Sequence, residues 1–225
     1  MVVAAGDRDS SDAARALEKL CRAYWYPLYS YLRRKGLTAH DAQDVTQEFF
    51  RRLIEKNYLA SVDPCVGSFR CFLLASLNHL LANEWDKARA LKRGGGREII
   101  SLDAERAEGR FSQEPAVDGS AEKAFDRGWA TTLLNRALSQ LRDEFVRSGK
   151  QEQFELLKVF LSDTAGEGGY DSLSGQLRMD SGRIAVAVHR LRKRYRELVR
   201  AEIAETVATE EELEAEMRHL FASLD

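Results

Sequence analysis

Apolar residues recur at spacings of three and four through nearly every segment of this chain, and no segment alternates apolar with polar positions as a half-buried strand would. That periodicity restricts the fold class to all-α. A first helix is expected from about Asp12 to the run Arg33, Arg34, Lys35, where basic residues precede a terminating Gly36. Pro27 is expected to break it in two, because proline removes a backbone donor and clashes with the preceding turn. Thr38 and Asp41 have capping-box spacing and open a helix carrying DAQDVTQEFFRRLIEK. A third helix begins near Ser68 and carries FRCFLLASLNHLLANEWDKARALKR.

From Leu91 to Ala121 the pattern changes. Gly94, Gly95 and Gly96 stand in a row, Gly109, Pro115 and Gly119 follow among scattered charges, and helical periodicity fades. This stretch reads as a linker with one short ordered piece around REIISLDAE. Two more helices follow, AFDRGWATTLLNRALSQLRDEF and QEQFELLKVFL, the second ended by TAGEGG. With 44% hydrophobic residues in a chain of 225, a core can form in each of two small domains. The expected organisation is a helical domain over 1–92, a flexible linker over 93–121, a second helical domain over 122–200 and an acidic extension over 201–225.

Within the second domain, Tyr170, Leu173 and Leu177 of YDSLSGQL fall at i, i+3 and i+7 and make a short amphipathic helix. RMD then turns the chain, with Asp180 as N-cap of a longer helix whose apolar stripe is Ile184, Val188, Leu191, Tyr195 and Leu198. Helix, tight turn, longer basic helix is a helix-turn-helix pattern. Between Arg183 and Arg200, seven basic residues face one acid, Glu197, although the whole chain carries a net charge of −2. The side opposite the stripe carries Gly182, Val186, His189, Arg190 and Lys193, flanked by Arg183, Arg192, Arg194 and Arg196. Arg183 and Arg190 are candidates for bidentate contact with guanine, Val186 and Ala187 can touch a thymine methyl, and Lys193 and Arg194 add salt-sensitive affinity for phosphates.

The first domain differs in charge. In DAQDVTQEFF, Ala42, Val45, Phe49 and Leu53 point to the core, while Asp41, Asp44 and Glu48, with Gln47 beside them, line an adjoining face. Such a face repels DNA and suits a protein partner with basic side chains. Further on, Lys87, Arg89, Lys92, Arg93 and Arg97 form a basic run without an intervening acid, preceded by Phe69, Arg70, Phe72, His79, Asn83 and Trp85. Cations beside aromatics are what single-stranded nucleic acid requires.

Other classes find little support. Cys21, Cys65 and Cys71 are odd in number and lack CxxC spacing, and His40, His79, His189 and His219 are unpaired along the sequence, so neither a disulfide framework nor a metal site is expected, and a reducing cytoplasm fits. The start has no basic n-region, and the longest apolar run is broken by Asn78 and His79, so neither a secretory signal nor a membrane span is expected. KRGGGRE lacks the G-K-[ST] ending of a phosphate loop, and no nucleophile with a base can be argued. No enzyme activity, cofactor or small-molecule substrate is expected.

These parts, in this order, resemble the bacterial RNA polymerase sigma factors of the extracytoplasmic-function class. DAQDVTQEFF is similar to the family's polymerase-binding helix, D-A-E-D-[LV]-x-Q-[ED]-x-F. GSFRCFLLASLNHLLANEWDKARA resembles the segment that melts and reads the minus-ten element, and YDSLSGQLRMDSGRIAVAVHRLRKRYREL the domain that reads the minus-thirty-five element as duplex. The likeness covers about residues 20–95 and 125–200. It implies a factor that binds core RNA polymerase and directs it to promoter DNA, with an anti-sigma protein as a further partner the family allows. Asp41, Asp44, Gln47 and Glu48 would then meet the polymerase clamp helices, and Arg70, His79, Asn83, Lys87 and Arg89 would lie along the opened strand, where an unstacked base can be captured in a pocket.

Three departures stand out. Ala185 to Ala187 replace a Lys-Ser-Arg common in the reading helix, removing two cations; His79 stands where an asparagine is frequent; and LRDEFVRSGKQEQFELLKVF replaces the shorter opening of the second domain. From Glu202 to Asp225 eight acids face one base, Arg218, with Leu213, Met217, Leu220 and Leu224 in an apolar stripe. Docked on the basic helix, that tail would mask it; the plainer reading is a solubilising or self-packing terminal helix. The alternative to a sigma factor is a helix-turn-helix regulator that acts on duplex DNA without polymerase, which leaves the acidic face of residues 41–48 without a role.

Overall fold

The computed structural model describes residues 11–55, 68–90, 102–113, 120–161, 170–207 and 209–224. Regular structure among them is helical throughout: α1 (Ser11–Arg34), α2 (Ala39–Glu55), α3 (Phe69–Ala90), α4 (Leu102–Gln113), α5 (Ala121–Arg147), α6 (Gln151–Leu157) with a 3-10 turn at Lys158–Leu161, α7 (Tyr170–Leu177), α8 (Ser181–Ala204) and α9 (Glu210–Ala222). The chain divides into two units, one of residues 1–132 with 204–225 and the other of residues 133–203, and the boundary falls inside α5.

In the first unit the core is drawn from every helix: Leu20, Tyr24, Leu28, Tyr31 and Leu32 of α1, Ala42, Phe49 and Leu53 of α2, Phe69, Leu73 and Leu77 of α3, Ala107 of α4, Phe125 and Trp129 of α5, and Leu213, Met217 and Leu220 of α9 are all buried. Each large apolar side chain removed from water contributes about 1.5–3 kcal/mol. That sum overrides a local signal. Pro27 does not break α1, which is continuous from Ser11 to Arg34. A proline inside a helix costs roughly 3 kcal/mol, but Tyr24 and Tyr26 before it and Leu28, Tyr29, Tyr31 and Leu32 after it are all buried, and that burial outweighs the local cost. Gly128 of α5 fits beside this point, since a Cβ there would lie 3.3 Å from the Pro27 Cα and 3.2 Å from the Ser30 Oγ.

Gly36 ends α1 as expected, in a left-handed conformation (φ 92°), with the Leu37 amide donating to the Leu32 carbonyl. Thr38 then caps α2: the Asp41 amide donates to its Oγ1 at 3.1 Å, and its hydroxyl donates to the Asp41 carboxylate at 2.7 Å. Helix α4 lies in the stretch expected to be a linker. Its Glu108 accepts from the Tyr29 hydroxyl and forms a fork with Arg33 of α1, at 3.0 and 2.9 Å. The two donors hold the Glu108 carboxyl below its ordinary pKa, the Arg33 bonds contributing most.

The second unit builds its core from Leu133, Ala137 and Leu141 of α5, Phe154 and Leu157 of α6, Phe160 of the 3-10 turn, and Ile184, Val188, Leu191 and Leu198 of α8. The α8 stripe is therefore the one the spacing indicated, with Tyr195 half-buried and donating its hydroxyl to the Leu134 carbonyl at 3.0 Å. Burial raises the Tyr195 phenol to about 12. Glu202 is buried at the end of α8, accepting from Gln140 and pairing with Arg136 at 2.9 Å.

Candidate nucleic-acid interface

Helices α7 and α8 are set by the three residues between them. Arg178 adopts a left-handed conformation (φ 51°), and the Met179 amide donates back to the Ser174 carbonyl, closing α7. Asp180 starts α8 by accepting the Arg183 amide at 2.8 Å, as expected of an N-cap. The face of α8 away from its buried stripe carries Gly182, Arg183, Val186, His189, Arg190, Lys193, Arg194 and Arg196, all exposed, while Ala187 is half-buried. An open groove of about 820 Å³ runs beside it, lined among others by Phe145, Leu157, Met179, Val186, Ala187 and Arg190.

The cations of this face are not equivalent. Arg194 is held by Glu144 in a two-bond fork at 2.6 and 2.9 Å and by Glu197 at 3.0 Å, so its charge is largely compensated within the unit. Arg192 is half-buried and donates to the Phe160 carbonyl at 2.7 Å, which makes it a brace between α8 and the 3-10 turn. Arg183 pairs with Asp180 at 3.3 Å, but both side chains are largely exposed, and such a pair contributes little. Arg190, Lys193 and Arg196 are exposed. Arg183, Val186, Arg190, Lys193 and Arg196 thus remain the exposed cations and apolar side chain of this face, alongside His189.

On α2, Asp41, Asp44 and Gln47 are exposed side by side, and Ala42 and Phe49 are buried, as the spacing required. Glu48 is different. It is half-buried and accepts from Arg51 at 2.6 Å and Arg52 at 2.5 Å, and these bonds hold its carboxyl down to about 2. Its anion therefore serves its own helix as well as any partner.

Helix α3 separates residues that the sequence placed on one track. Arg70 and His79 are nine positions apart, which at about 100° per residue sets them on opposite faces. His79 is exposed. Arg70 is 7% exposed and does not present its guanidinium to solvent. Its Nε and Nη2 donate to Glu216 of α9 at 2.7 and 3.0 Å, its Nη1 donates to Asp126 of α5 at 2.5 Å, and it lies 4.6 Å over the Trp129 ring. Burial works against the Arg70 charge, but Glu216 and Asp126 outweigh it and its pKa is raised. The acidic tail thus finds its cation in α3 of its own unit, as a self-packing terminal helix would. The side chains of Asn83, Lys87 and Arg89 lie outside those described, as do Lys92, Arg93 and Arg97.

Sequence reasoning missed Glu216 and Asp126 as the partners of Arg70. One signal was present: Glu216 falls inside the apolar stripe of α9, between Leu213 and Met217, where a lone glutamate requires a buried cation. Among the described residues no cluster of His, Cys, Asp and Glu can hold a metal ion, and no helix is long and apolar enough to cross a membrane. Comparison with family models, curated proteins and solved structures gives no match to this chain.

Proposed function

We propose that this chain is a transcription initiation factor of the sigma type, working in the cytoplasm without chemistry of its own. In this reading α2 docks on core RNA polymerase through Asp41, Asp44 and Gln47, and Glu48 buttresses that face through Arg51 and Arg52. The helix-turn-helix of the second unit reads the minus-thirty-five element as duplex, and α3 with the basic residues that follow contacts the opened minus-ten strand. The observation that carries it is the coexistence in one chain of an exposed anionic and amide face on α2 and a capped helix-turn-helix whose exposed face is cationic. A regulator acting on duplex DNA alone has use for the second and none for the first.

Run-off transcription with core polymerase on a genomic library is the test. Discrete start sites that depend on the chain are expected, and Asp44→Arg should abolish them. Binding to duplex DNA with no polymerase-dependent transcript would instead assign the chain to the polymerase-independent regulators.

A further inference from the structure

An exposed valine stands in the middle of the cationic stripe of α8. Val186 is 50% exposed and is the one large hydrophobic residue of that helix open to solvent. Arg183, Val186 and Arg190 fall at i, i+3 and i+7 and share one face. With a rise of about 1.5 Å per residue, Val186 lies about 4.5 Å along the axis from Arg183 and about 6 Å from Arg190. Its neighbours leave it clear: Gly182, one turn before it, has no side chain, Ala187 is half-buried, and Arg194 is engaged by Glu144 and Glu197.

A polar base edge pressed against this valine would lose its water without gaining a bond. The thymine 5-methyl is the one apolar group that unmodified base edges offer in the major groove, whereas O6 and N7 of guanine suit an arginine fork. We propose that Val186 is a specificity-determining residue that selects thymine, through contact with its methyl group, between two guanines contacted by Arg183 and Arg190. The two arginines are separated by about 10.5 Å along the helix, which is about three base-pair steps of 3.4 Å. The preferred duplex therefore carries guanines about three positions apart with a T·A pair between them. This inference rests on the duplex reading of α8 and names the class of sequence that α8 takes.

The test uses the full chain and a random duplex library, followed by binding of the enriched duplex with thymine replaced by deoxyuridine. Removing the methyl should weaken binding about fourfold, the value of one methyl-sized contact. Val186→Ala should weaken binding similarly and be indifferent to the replacement, while its unfolding midpoint stays that of the parent, because the position is half exposed. Enrichment of a motif with no thymine between guanines, equal affinity for the deoxyuridine duplex, or a deoxyuridine penalty that persists in Val186→Ala would each overturn the inference while leaving duplex reading intact. Failure to enrich any duplex would overturn both.

Discussion

Removing either side of the buried pair between α3 and α9 should destabilise the first unit, but unequally. Arg70→Ala takes away the cation shared by Glu216 and Asp126: Asp126 keeps His219 Nε2 at 3.2 Å, but the Glu216 carboxylate, only 8% exposed, loses both bonds of its fork. Breaking a buried ion pair in this way costs about 3–5 kcal/mol. Glu216→Ala removes two bonds at 2.7 and 3.0 Å, yet Arg70 keeps Asp126 at 2.5 Å and the Trp129 face. Its charge is not orphaned, and a cost of about 1–3 kcal/mol follows. The double variant should cost less than the sum, with a coupling of about 1–3 kcal/mol. Urea unfolding followed by tryptophan fluorescence measures all three, since Trp129 lies under the guanidinium. Equal losses in the two single variants, or strict additivity in the double, would refute the idea that Arg70 is the hub of this cluster.

Three further outcomes are expected. Asp180→Ala should cost about 1 kcal/mol by removing the N-cap bond to the Arg183 amide, whereas Asp180→Asn, which keeps the acceptor, should cost a few tenths; amide exchange at Arg183 separates the two. Arg178→Gly should raise the stability of the second unit by about 0.5–1 kcal/mol, because a left-handed residue with a side chain costs roughly 1–2 kcal/mol and glycine's larger unfolded-state entropy returns only part of it. The Glu48 carboxyl, held at about 2 against an ordinary 4.5, contributes stability that is fully present above about pH 4.5 and is lost as pH falls toward 2. Its side chain is 30% exposed, so about 1 kcal/mol is at stake, and acid titration of Glu48→Gln should lack that component.

What the sequence made legible was local. The α8 stripe, the Asp180 cap, the Thr38 cap and the Gly36 stop each depend on residues within one or two turns, and each stands where the spacing put it. What it concealed was set by distant parts of the chain. Pro27 sits inside α1 because tertiary burial on both sides of it outweighs the local penalty. Arg70 looked available because its partners are 56 and 146 positions away. The compensation of Arg194 by Glu144, 50 positions earlier, was hidden for the same reason, while Glu48 and its arginines lie within a single turn and could have been read. Helix α4 was legible only in its first turn, inside the expected ordered piece REIISLDAE, because Gly109 and the surrounding charges weaken the periodicity beyond it and its anchor, the fork between Glu108 and Arg33, spans 75 positions.

The central claim, that one helix of this chain serves polymerase and another serves DNA, is tested most directly by binding of the labelled protein to purified core RNA polymerase without DNA. The expected result is association that Asp44→Arg abolishes and Arg190→Ala leaves unchanged, with Arg190→Ala losing promoter duplex instead. Absence of association, or association indifferent to Asp44→Arg and to the matching reversal at Asp41, would contradict it.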